Sequence, residues 1–227
     1  MSTSATHTIY ERLRSDLLTG RRRPDERLKI NELGLAFQVS IGAVREALSR
    51  LTSEGLVIAE PQRGFRVAPV SLADLRDLTM VRTEIEVRCL RRAIACGDAA
   101  WEAAIIASHH RLVRTELHPK DGRPGFSDGW LAAHADFHRM LTSACDSPWS
   151  LKLREMLFTQ SERYRDLALI ADKGERDVQR EHRELMEAVL ARDVDLAITR
   201  ITAHLALTTK SIETAFHRQP ANDSGHR

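Results

Sequence analysis

Residues 30–67 read INELGLAFQVSIGAVREALSRLTSEGLVIAEPQRGFRV, and the punctuation of this stretch decides the fold. Asn31 is a suitable N-cap for a short helix over Glu32–Phe37, with Leu33, Ala36 and Phe37 turned inward. A break at Gln38-Val39-Ser40 follows. Ser40 can cap the next helix, Ile41–Glu54, where Val44, Ala47, Leu48 and Leu51 recur at three- and four-residue spacing. Gly55 ends that helix, and Leu56–Ala59 and Phe65–Ala68 form two short strands around the turn Glu60–Gly64. Upstream, Thr8–Thr19 carries Ile9, Leu13, Leu17 and Leu18 at helical spacing, closed by Gly20. Arg21, Arg22 and Arg23, then Pro24, Asp25 and Glu26, make a polar connection.

Helix, helix, tight turn, helix and hairpin predict a winged helix-turn-helix over residues 7–70, a module for double-stranded DNA. Its third helix lies in the major groove and its wing meets the backbone or minor groove. The third helix offers Arg45, Ser49 and Arg50 beside its apolar stripe, and the hairpin tip offers Gln62, Arg63 and Gly64. Arg45, near the helix start, can fork onto a guanine edge, whereas Arg50, a turn or more on, suits phosphate. Any one of these arginines would also suit a plain solvated face; the whole pattern carries the reading. Charge agrees: residues 1–70 hold 11 Lys and Arg against 8 Asp and Glu, and the rest is almost balanced at 23 against 24.

The 227 residues are 42% hydrophobic and 29% charged, which excludes a disordered or fibrous chain. No stretch approaches the roughly 18 uncharged apolar residues of a membrane helix. The start, MSTSATHTIYERLR, has no apolar signal core, and Cys89, Cys96 and Cys145 form no even framework. A cytoplasmic, nucleoid-associated protein of the bacterial type is expected.

Beyond residue 70 the pattern is all helical: Ser71–Cys96, Ala99–Leu117, Gly129–Ala144, Pro148–Ala171, Gly174–Ala191 and Val194–His217. The expected fold is therefore mostly α, with an antiparallel bundle over 71–217 behind the winged module. Met1–Thr6 and residues 218–227 read as disordered tails.

Ten histidines are many for this length. His134 and His138 share one helix face, His182 falls in QREHRELMEAVL and His204 in ITAHLAL. Facing helices of a bundle can assemble a metal site from inward side chains, and three or four imidazoles suit zinc, nickel or another divalent transition metal. Taken singly, each of these histidines is more often a surface or satisfied core residue.

The stretch Ile30–Val57 with the wing EPQRGFRV resembles the DNA-binding half of GntR-family bacterial transcription regulators. Val44-Arg45-Glu46-Ala47-Leu48 with Leu51, Gly55 and Leu56 is the most specific part. The family often has Arg-Thr-Pro where this chain has Ile41-Gly42-Ala43, so an arginine commonly set on DNA is missing. A similar variant occurs in regulators of glutarate and related catabolism. The histidine pattern resembles the metal motif of the all-helical FCD domain in the FadR-like branch. Phe137-His138 match that motif, and His134 stands where Asp or Asn is usual. The resemblance implies metal ligation by His134, His138, His182 and His204.

It also implies a homodimer, most commonly a repressor, that answers to a small carboxylate bound beside the metal. That effector is expected to be a dicarboxylate such as glutarate or an aromatic acid of a catabolic route. Arg82 in VRTEIE matches a family position near the pocket; Arg139, Arg163, Arg165 and Tyr164 are further candidates to hold the acid. Two alternatives remain open. One is a metal-dependent hydrolase, against which the lack of an HExxH counts; the other is a regulator whose metal is purely structural.

Overall fold

In the computed structural model, residues 5–120, 122, 125–165 and 176–218 are described. Helix α1 spans Ala5–Leu18, α2 Ile30–Phe37 and α3 Ile41–Ser53. Helix α3 starts as expected: the Ser40 hydroxyl accepts from the Ala43 amide at 3.2 Å. The turn before it is sharp because Gln38 takes a left-handed conformation, φ 56°, and its N–H returns to the Gly34 and Leu35 carbonyls. Gly34 lets the two helices meet closely. A Cβ there would lie 3.2 Å from Ile41 Cδ1 and 3.3 Å from the Val39 oxygen.

Strands β2 (Val57–Glu60) and β3 (Gly64–Val67) form the hairpin, with Val57 opposite Val67 and Glu60 opposite Gly64. A third strand, β1 (Arg27–Leu28), joins the other edge of β3, giving the antiparallel order β1-β3-β2. The sequence shows only a polar connection here. Two residues are too few to display a strand period, and pairing with β3 creates this strand. Behind the sheet and helices sits a core of Ile9, Leu13, Leu33, Val44, Leu48, Leu51 and Leu56. Each such side chain contributes about 1.5–3 kcal/mol by its burial.

Three local expectations change. Helix α2 begins at Ile30 with Lys29 at the N-cap, so Asn31 lies inside the first turn. Ala36 is exposed and Phe37 half-buried, because α2 buries a narrow stripe of Leu33 and Gly34. Ala5 and Thr6 are helical, as is the backbone at Arg218, so the ordered chain reaches further at both ends than expected. The rest of the expected tails, 1–4 and 219–227, lies outside the described residues.

The chain divides into two compact units, Met1–Ser71 and Leu72–Arg227. The second holds α4 (Leu72–Cys96), α5 (Ala99–Arg114), α6 (Asp128–Thr142), α7 (Pro148–Glu162), α8 (Val178–Leu190) and α9 (Val194–Arg218). Asp98, Ser127, Ser147 and Asp177 each cap a helix by accepting an amide three residues on. Helix α5 stops at Arg114 rather than Leu117, and α7 at Glu162. The remainder expected of the fourth bundle helix, beyond residue 165, lies outside the described residues, as does the expected start of the fifth.

Helix α4 packs on α7 and α9, α5 on α6 and α8, and α8 on α9. Leu90, Ile105, Phe137, Leu141, Leu185 and Val189 form the centre of the core. Gly97 ends α4 without a side chain because the Trp101 ring occupies that space, 2.0 Å from where a Cβ would stand. Trp101 in turn donates its indole N–H to the Met140 carbonyl at 2.8 Å, which ties α5 to α6. Helix α6 is thereby fixed between its neighbours, and it carries the first two histidines.

Candidate metal centre and effector cavity

His134 and His138 lie one turn apart on the inward face of α6, His182 on α8 and His204 on α9. All four are buried, at 5, 1, 2 and 6% exposure. One ring nitrogen from each falls within 4.8 Å of the others, the compactness a single ion requires. His134 Nε2 is 3.2 Å from His138 Nε2. His182 Nε2 is buried with no hydrogen-bond partner. An orphaned buried polar atom costs about 1–3 kcal/mol, and ligation of a cation would remove that cost. The cluster fits a metal ion by this test.

Electrostatics keep the lone pairs free. Burial first, then neighbouring positive groups, pushes the pKa of His134, His138 and His182 well below the ordinary 6.5. His204 is also lowered by burial, but Glu181 opposes that shift. The four rings are neutral at pH 7, the state that metal ligation requires.

Outer groups orient the rings. The His204 Nδ1 lies 2.8 Å from Glu181 Oε2, so a neutral His204 donates there and turns Nε2 away from the carboxylate. Arg176 grips the same carboxylate through Nε at 2.7 Å and Nη2 at 2.5 Å. Burial alone would raise Glu181, but hydrogen bonds from Arg176 and His204 outweigh it and hold the pKa at about 2. On the α6 side, Arg154 donates to the His138 carbonyl and to Glu86 Oε2, both at 2.8 Å. Arg165 pairs with Glu162, and its Nη1 lies 3.0 Å from His134 Nδ1.

A cavity of about 360 Å³ opens over the cluster. His134, His182 and His204 reach its surface, and Arg82, Arg165 and Arg176 surround them. Phe126, Trp130, Leu112, Val113 and Leu117 supply apolar wall. The volume lies in the range of small-molecule sites, roughly 300–1,000 Å³.

Residues 77–207 match the FCD domain family, and residues 5–67 match the family described as "Bacterial regulatory proteins, gntR family". The chain is 38% identical over 202 residues to the uncharacterized HTH-type transcriptional regulator BphR of Paraburkholderia xenovorans (strain LB400), covering 89% of this chain and 82% of that one. The chain belongs to the GntR family. This GntR-family regulator is also 34% identical over 210 residues to the HTH-type transcriptional repressor GlaR of Escherichia coli (strain K12), covering 91% and 94% of the two chains. Among solved structures, E. coli McbR/YncC shares the fold with a TM-score of 0.78 at 19% identity, over 95% of this chain and all of that one. The relatives are transcription regulators, not enzymes, and the hydrolase alternative falls away.

In the regulator's first unit, Arg45, Ser49, Arg50, Gln62 and Arg63 are exposed, and Gly64 is half-buried at the start of β3. The Arg50 guanidinium lies 3.9 Å from the centroid of the Tyr10 ring, which ties this arginine to α1. No helix among the described residues is long and apolar enough to cross a membrane.

The effector candidates separate. Arg82 lines the cavity, buried, with Nη1 donating to Ser161 Oγ at 2.5 Å and Nε unpartnered. Arg165 lines it too. Arg139 does not: one step along α6 from His138, it swings outward and pairs with Asp136 at 2.5 Å. Arg163 donates to Gln160 at 2.9 Å, and Tyr164 is fully buried with its hydroxyl donating to Asp74. Neither belongs to the cavity lining. Helix α7 ends at Glu162, so helical spacing no longer places residues 163 and 164. Sequence reasoning missed Arg176, which precedes α8 outside any motif; only the fold brings it to Glu181 and His204.

Proposed function

We propose that this protein is a transcriptional repressor, active as a homodimer on a pseudo-palindromic operator, whose DNA affinity is controlled by a small carboxylate bound in the bundle. The effector would be a dicarboxylate such as glutarate or an aromatic acid, and the genes controlled would serve its catabolism. The observation that carries this is a cluster of four buried neutral imidazoles, three of which reach a cavity shared with three guanidinium groups, in a chain with a GntR-type N-terminal module. The name of the relative GlaR, a repressor, supports the sign of regulation. A cytoplasmic protein on the nucleoid fits this role.

In the DNA complex, Arg45 would take a guanine edge from the start of α3, with Ser49 and Arg50 nearer the phosphates and Gln62, Arg63 and Gly64 on the wing. His134, His138, His182 and His204 would hold a divalent transition metal, by preference zinc, with nickel a second choice. When bound, that ion supplies concentrated positive charge at the floor of the cavity. Arg82, with a spare Nε–H, and Arg165 and Arg176 would orient the carboxylate. Effector binding then shifts the population of arrangements that fit the operator.

The double variant His134→Ala/His138→Ala tests the site. It should lose bound metal by elemental analysis and lose the response of operator binding to added carboxylate. Full metal occupancy in that variant overturns the ligand assignment.

A further inference from the structure

Away from the cavity, the outer face of α4 and α7 gathers apolar surface. Half of the large apolar side chains that stay exposed among the second unit's described residues lie on these two helices. They are Met80 and Val81 on α4, and Trp149, Leu153 and Met156 on α7. The three on α7 recur at i, i+4 and i+7, so they form one stripe. Trp149 is 72% exposed, more than any other of the set. A contiguous stripe of this kind marks an interaction surface, whereas single exposed residues do not.

Contacts between the two helices set that stripe beside a groove. Arg92 pairs with Asp146, Arg88 donates to Ser150 Oγ at 3.1 Å, Arg154 to Glu86 at 2.8 Å and Arg82 to Ser161 Oγ at 2.5 Å. Falling numbers on α4 meet rising numbers on α7, so the helices run antiparallel. The groove lies along α4, lined by Glu84, Val87, Arg88, Arg91, Arg92 and Ala95. Arg88 reaches Ser150, so the groove is level with Trp149. One face thus carries a projecting indole and a recess bordered by guanidinium groups, which attract the face of an aromatic ring.

Charge repeats the match. Among the described residues the side chains of Glu84 and Arg91 make no ion pair or hydrogen bond, and Lys152 lies over the Trp149 ring at 5.0 Å. Resting on the homodimer reading above, we propose that a second copy of this chain docks on this face, α7 of each copy against α4 of the other. The two-fold axis runs between the helices and parallel to them. Trp149 of each copy then enters the other's groove beside Arg88 and Arg91, Lys152 meets Glu84, and Leu153 and Met156 cover Met80 and Val81. Projection and recess on one patch are what an isologous contact uses, since each copy offers both.

Sedimentation equilibrium of the full-length protein and its variants tests the docking face. Trp149→Ala should raise the dimer dissociation constant at least about 30-fold, as for a hot-spot aromatic residue. Glu84→Lys and Lys152→Glu should each raise it about 2–5-fold. The double reversal Glu84→Lys/Lys152→Glu should return it to within about 2-fold of the wild type. A dimer as tight as the wild type in every variant overturns the docking face and leaves the homodimer reading standing. A double reversal no tighter than the single ones overturns the docking face as well. A wild-type chain that stays monomeric with and without operator DNA overturns both. All three side chains are exposed, and the charge reversals decide the matter even if the alanine variant does not fold.

Discussion

The two units place polarity on opposite sides of their cores. In the first, the side chains proposed to meet DNA stand outside a core of apolar side chains and the Tyr10 ring. In the second, polarity is inside: all twelve buried polar or charged side chains among the described residues lie beyond residue 71. Arg45, Ser49, Gln62 and Arg63, the exposed candidates for DNA contact, can therefore change with little effect on packing, whereas Arg50 lies over the Tyr10 ring. The second unit has no such freedom, because Arg154, Glu86 and the four histidines are at once buried core and part of the candidate site.

The largest effect that would break this contrast is expected at Arg154. Its guanidinium is 3% exposed, compensates buried Glu86 and holds the His138 carbonyl. Arg154→Ala should lower stability by about 3–5 kcal/mol, the cost of leaving one partner of a buried pair. Urea melts showing under about 1 kcal/mol would mean that water or Arg82 already serves Glu86.

Next is acid sensitivity without metal. Burial lowers the folded pKa of all four imidazoles, so below the ordinary 6.5 the unfolded chain takes up protons that the folded chain refuses. Stability should be full above that pH and fall as the pH drops through it. The slope is about 1.4 kcal/mol per pH unit for each proton taken up on unfolding. Melting temperatures of metal-free protein that stay flat from about pH 7.5 to about pH 5.5 would contradict burial of neutral rings.

Arg45→Ala sharpens the comparison from the other side. It should leave stability within about 0.5 kcal/mol, yet weaken specific operator binding by about 1–3 kcal/mol. An unchanged gel-shift affinity would exclude Arg45 from base contact. The smallest effect is expected at Ser40, whose hydroxyl caps α3. Ser40→Ala should cost about 1 kcal/mol, read as a shift in the denaturation midpoint, and a shift larger than that of Arg154→Ala would reverse the contrast.

Legibility in the sequence followed locality. The Ser40 cap, the α3 stripe and the hairpin are set by residues within a few positions of one another, and they stand where the periodicity places them. Strand β1 was invisible because its only reason to exist is a partner some forty residues later. The i,i+4 pair His134 and His138 was legible as a pair, and resemblance added His182 and His204. Among the arginines, spacing misled. Arg139 and Arg163 lie close in sequence to site residues but not in the cavity lining, whereas Arg176 reaches Glu181 and His204 only after α8 and α9 pack together.

By itself, then, the sequence determined the winged module, the helical bundle and the His134–His138 pair, because caps, apolar periods and a paired motif act over short range. Only the tertiary structure decided which guanidinium groups face the imidazoles and that Phe126 and Trp130 stack in series with the His134 ring. Those facts depend on how α4 to α9 pack and on where their ends stop, and no local pattern encodes the distance between helices far apart in the chain.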